Sequence, residues 1–62
     1  MAGLPNSGIK IGDTVTIKDG VFAGFHGKFM GYFYKYNHGW RCRVDIGKMK
    51  IEFILEQIYK EI

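Results

Sequence analysis

The sequence predicts an all-β domain: five short strands in a small, strongly bent barrel, with room for a single 3₁₀ turn before the last strand. Three observations point there. Apolar and polar residues alternate with period two along several short stretches, which is the periodicity of a half-buried strand. Turn signals separate those stretches: Asp19-Gly20, Asn37-His38-Gly39 and Gly47-Lys48. Gly31 interrupts the longest aromatic run, where a bulge lets a long strand turn the corner of a small barrel.

Taken in order, strand one is Thr14–Lys18, with Val15 and Ile17 apolar between Thr14, Thr16 and Lys18. Ile9 and Ile11 are available to extend it backward before Gly12-Asp13 turns the chain. After Asp19-Gly20 the loop Val21–His26 carries Phe22 and Phe25 around Ala23-Gly24, small residues that let the backbone pass close while rings fold in. Gly27 is expected at positive φ, just ahead of strand two. Strand two starts at Lys28-Phe29 and runs to about Tyr36. Phe29 faces in, and the alternation slips at Gly31.

Asn37-His38-Gly39 forms a hairpin turn, since Asn and Gly tolerate positive φ. Strand three, Trp40–Ile46, alternates cleanly, with Trp40, Cys42, Val44 and Ile46 on one side and Arg41, Arg43 and Asp45 on the other. Strand four, Met49–Phe53, sets Met49, Ile51 and Phe53 against Lys50 and Glu52. The tail reads two ways. It is a short amphipathic helix through Ile54, Leu55, Ile58 and Ile62, or a 3₁₀ turn at Leu55–Gln57 followed by a strand Ile58–Lys60. A nine-residue helix is marginal alone, so the strand reading is preferred.

The chain has 62 residues. Residues 1–8 read as a disordered leader and 9–62 as one barrel domain. A chain this short buries only ~60% of its unfolded surface, and five Phe, four Tyr and one Trp compensate in part. Cys42 is the lone cysteine, which removes any disulfide or cysteine-pair metal site and fits a reducing compartment. No apolar run reaches the ~18 residues of a membrane helix, so the expectation is a cytoplasmic protein. The net charge of +3 mildly favours an anionic partner.

The segment Asp19-Gly20-Val21-Phe22-Ala23-Gly24-Phe25-His26-Gly27 resembles the DGPFADFNG type of segment in the carboxy-terminal domain of the NusG transcription factor family. The unit from Thr14 to Met30 is similar to the KOW motif found there. Ile51-Glu52-Phe53-Ile54-Leu55-Glu56-Gln57-Ile58 is similar to that family's closing VELDFSQV stretch. Val21 stands where the family commonly has proline, and Gly24 where it has an acidic residue. The resemblance implies an SH3-like five-stranded barrel. It also implies partners of the kind KOW domains meet in transcription elongation and ribosomal assemblies, namely RNA or protein.

The first candidate site is a cationic-aromatic face for RNA or a ribonucleoprotein. Tyr34, Tyr36, Arg41, Arg43 and Lys50 share the outward side of strands two to four if the alternation holds, and Lys18, Lys28 and Lys35 extend it. Rings that stack bases, interleaved with cations that neutralise phosphates, are how single strands are held. Opposed to this stands a solvated barrel face. The second candidate is a protein-docking loop, Phe22, Phe25 and His26, as in an SH3-like subunit of a larger assembly. There the alternative is that both rings plug the core.

His26 and His38 have no carboxylate or cysteine at useful spacing, so no metal is expected. His26 is expected to bond loop backbone. Cys42 reads as a core residue. No nucleophile, paired carboxylates or phosphate loop is present, so neither an enzyme nor a cofactor or small-molecule substrate is expected. An enzyme active only as an oligomer is the remaining alternative.

Overall fold

A computed structural model describes residues 8–61. Among them are the strands β1 (Thr14–Ile17), β2 (His26–Lys35), β3 (Gly39–Ile46), β4 (Met49–Phe53) and β5 (Ile58–Lys60), with a 3₁₀ turn at Leu55–Gln57. All pairings are antiparallel, in one sheet ordered β4-β3-β2-β1-β5. The fold is all-β, and the tail takes its strand form. No pairing joins β4 to β5, so the sheet is open and these two strands are its edges. Apart from Gly8, the expected leader lies outside the described residues.

The inward side chains make one cluster drawn from every strand: Val15 and Ile17, Phe29, Cys42, Val44 and Ile46, Phe53, and Ile58. Alternation explains most of this list. Each β3 residue from Cys42 to Ile46 that was expected to face inward is buried, while Arg43 between them is exposed. Phe29 is the largest fully buried side chain. Tyr32 lies edge-on against its ring, at 4.9 Å between centroids. Removing a core phenyl costs about 3–5 kcal/mol, which is a large part of what so small a domain has to spare.

The β2–β3 pairing contains the bulge expected at Gly31. Phe29 is opposite Val44 and Tyr32 is opposite Cys42, so three steps along β2 match two along β3. Met30 and Gly31 together stand against the single residue Arg43, and Gly31 takes φ 115°, a conformation that a side chain would strain. The turn after β2 also follows expectation: Asn37 has φ 67°, the one non-glycine at positive φ among the described residues.

Five boundary readings change. Ile9 and Ile11 do not extend β1, because the amide of Asp13 bonds the carbonyl of Lys10 (2.9 Å) and closes a turn there. Ile9 still packs on the core, while Ile11 is exposed. Lys18 falls beyond β1, its amide bonded to the Gln57 carbonyl at 2.6 Å. His26 belongs to β2 rather than the loop, and β3 begins at Gly39. β2 ends at Lys35, leaving Tyr36 in the turn.

Gly27 is not at positive φ. Its requirement is steric. A Cβ there would lie 2.6 Å from both the Asp45 carbonyl oxygen and Val44 Cγ1. The carbonyl is main chain and cannot swing aside, so β2 would have to back away from β3. Gly27→Ala should therefore lower stability by about 1–3 kcal/mol, the usual cost of overpacking, read as a lower urea midpoint with an unchanged slope. An unchanged midpoint would mean that the approach of the two strands is looser than described.

Candidate nucleic-acid interface

Residues directly opposite each other on paired strands share a face, so the register decides what stands beside the arginines. Phe33 is opposite Arg41, Arg43 is opposite Glu52, and Asp45 lies between Lys28 on β2 and Lys50 on β4. The outward surface of β2–β4 therefore carries Lys28, Phe33, Lys35, Arg41, Arg43 and Lys50, with Asp45 and Glu52 as its carboxylates. The Arg43 guanidinium carbon stands 4.6 Å from the centre of the Phe33 ring, a cation–π contact.

Glu52 organises the cations nearest it. It takes Lys35 Nζ at 3.3 Å and Arg41 Nε at 3.5 Å. Lys28 Nζ donates instead to the Thr14 hydroxyl at 2.9 Å. Among the described residues Arg43 and Lys50 have no ion pair. Both are exposed, so their charge is available to solvent and to any anion.

The tyrosines do not join them. Tyr34 is opposite Trp40, on the other side of the strand pair from Phe33 and Arg41, and its ring meets the indole edge-on at 5.4 Å. Tyr34 is 60% exposed and Tyr36, out in the turn, 83%. The physical reason is the bulge: one extra residue on β2 reverses the in-out parity of everything after it. Phe33 thus takes the place expected of Tyr34. Lys18, just past the end of β1, also lies apart, since β2 separates β1 from β3.

The loop aromatics divide their roles. Phe22 is partly buried against the core and edge-on to Phe53 at 6.1 Å. Phe25 packs edge-on against Phe22 at 5.6 Å yet remains 47% exposed. Gln57 ties this loop to the 3₁₀ turn. Its side-chain amide donates to Asp19 Oδ1 at 3.4 Å, and its Oε1 accepts from the Ile54 amide at 3.2 Å.

His26 has a partner that sequence spacing does not reveal. Its Nδ1 meets the Glu61 carboxylate and, at 3.0 Å, the Thr16 hydroxyl, which itself donates to Glu61. The expected backbone bond is replaced by this side-chain cluster, made by residues far apart in sequence. All three contacts converge on one ring nitrogen and one carboxylate oxygen, so no proton is relayed through the ring as a nucleophile–base–acid series requires. The cluster clasps β1, β2 and the end of β5.

Cys42 is fully buried with its thiol donating to the Phe53 carbonyl at 3.3 Å. Burial pushes its pKa up to about 11, the opposite of an activated nucleophile. Among the described residues no group of three His, Cys, Asp or Glu is placed to hold a metal ion. Among the same residues no helix is long and apolar enough to cross a membrane. No protein-family model, curated protein or solved structure matches this chain.

The clasp has a pH consequence. The Thr16 hydroxyl first, then the His26 ring, hold the Glu61 carboxyl below its ordinary value of 4.5. A depressed folded-state pKa gives stability that is complete above the ordinary value and is lost as pH falls through the folded one. Thermal scans of the protein and of Glu61→Gln should therefore differ most near neutral pH and converge in acid. Parallel curves across that range would remove Glu61 from the acid response.

Proposed function

We propose that this chain is a non-enzymatic, SH3-like module of the KOW type that binds RNA or a ribonucleoprotein in the cytoplasm, in transcription or translation. One observation carries the reading: five cations share the outward face of β2–β4 with Phe33, against two carboxylates. Lys and Arg neutralise phosphates and release counterions, which supplies most sequence-independent affinity. The Arg43 guanidinium, held over the Phe33 ring and exposed, is available to a base, as arginine planes are in single-strand recognition. A barrel-like curl is supported by the core, to which all five strands of the one sheet contribute.

A second reading, a protein-docking subunit, is favoured by the half-exposed Phe25 on the Phe22 support, with Val21 exposed beside it. Exposed aromatics on a packed base are typical interface anchors.

Titration of a labelled mixed-sequence single-stranded RNA at several salt concentrations separates the two. Binding through the cationic face should weaken log-linearly with salt, with a slope of ~0.7 per phosphate contact. Arg41→Ala with Arg43→Ala should weaken binding and flatten the slope, while Tyr34→Ala should leave the slope unchanged. Absence of binding at low salt, or indifference to the arginine pair, overturns the RNA reading. Capture of a protein partner that depends on Phe25 and not on the arginines would then favour docking.

A further inference from the structure

We propose that β4 is a self-association edge, pairing antiparallel with β4 of a second copy about a two-fold axis at Ile51. This does not depend on the RNA reading. The strand is an edge of an open sheet, and its far side pairs with no described strand. Native edges are guarded by shortness, proline, a bulge, an inward charge or charged side chains, lysine above all. On β4 the Lys50 charge is offset by Glu52 two residues on, so it does not repel an antiparallel copy. The β4 sequence Met-Lys-Ile-Glu-Phe has no proline, its pairing with β3 runs without a register break, and its charges face outward.

The occupant follows from complementarity of this sequence with itself. Turned antiparallel about Ile51, Lys50 of one copy is opposite Glu52 of the other, and Glu52 is opposite Lys50, on the outward face. Met49 is opposite Phe53 of the second copy and Ile51 opposite Ile51, on the inward face. Both faces therefore match at once. Lys50 has no ion pair among the described residues and Met49 is half exposed at the edge, so both gain a neighbour. A shift of one residue along the edge would put Lys50 opposite Ile51 and cross the two faces. Such a contact is short, below the ~1,000 Å² that a stable interface clears, so the dimer is weak and seen only at high protein concentration. It makes one sheet of two, and the cationic outward faces become continuous.

The test uses the wild-type chain and two charge reversals. Amide spectra of the ¹⁵N-labelled protein, diluted from millimolar to micromolar, should shift with concentration at Met49–Phe53 and little elsewhere. Lys50→Glu alone places glutamates opposite each other in its homodimer, and Glu52→Lys alone places lysines opposite each other, so each should be monomeric by sedimentation. Their mixture restores opposite charges at both positions and should form a heterodimer. Each variant's fold is checked by circular dichroism. If either is unfolded, the wild-type dilution series decides alone. Spectra without concentration dependence, shifts centred away from β4, or folded variants that do not associate on mixing overturn the proposal.

Discussion

The pairing of β2 with β3 carries one extra residue on the β2 side, and the arrangement of the outward surface depends on it. Before the bulge, Phe29 and Val44 meet in the core; after it, Tyr32 and Cys42 do. The irregularity at Met30-Gly31 keeps both pairs on the inward face, with Tyr32 partly buried against the core. It also decides which aromatic stands beside the arginines. Without the bulge Phe33 would face inward and Tyr34 outward. With it, Phe33 lies under Arg43, and Tyr34 goes to Trp40. A steric detail inside one strand thereby selects the chemistry on the surface.

Two further constraints keep that register in place. Gly27 lets β2 come against the backbone of β3 near Val44 and Asp45, just before the bulge. At the other side of the sheet, Glu61 reaches Thr16 and His26, joining the chain end to β1 and β2. Lys60 Nζ adds a 3.3 Å contact to Asp13, whose carboxyl is held low first by the Lys10 amide. Exposed pairs of this kind contribute little singly. Their effect is to fix where a three-residue strand ends, which such a strand cannot do alone.

The strands, the turns and the bulge were legible because each leaves a local mark. Alternation placed Cys42, Val44 and Ile46 inward, and the tail resolved into a 3₁₀ turn and a short strand because nine residues are too few for a free-standing helix. Gly31 marks the bulge, and a bulge there reverses parity for Phe33 and Tyr34. That step was available in the sequence. The need for glycine at position 27 was not, because the atoms that forbid a side chain there belong to Val44 and Asp45. The partner of His26 was equally hidden, since spacing says nothing of a carboxylate just past a distant strand. Of the proposed face, the arginines and Lys50 were recognisable from β3 and β4 alone, whose pairing has no irregularity. Phe33 needed the register.

The most direct measurement is residue-resolved. Amide and indole spectra of the ¹⁵N-labelled protein should be followed during titration with a short mixed-sequence single-stranded RNA at low salt. The account predicts the largest perturbations at Phe33, Arg41, Arg43 and Lys50, with little change at Tyr34 or the Trp40 indole. Perturbations centred on Tyr34, Tyr36 and Trp40, or on Phe25, with the arginine strand unmoved, would contradict it.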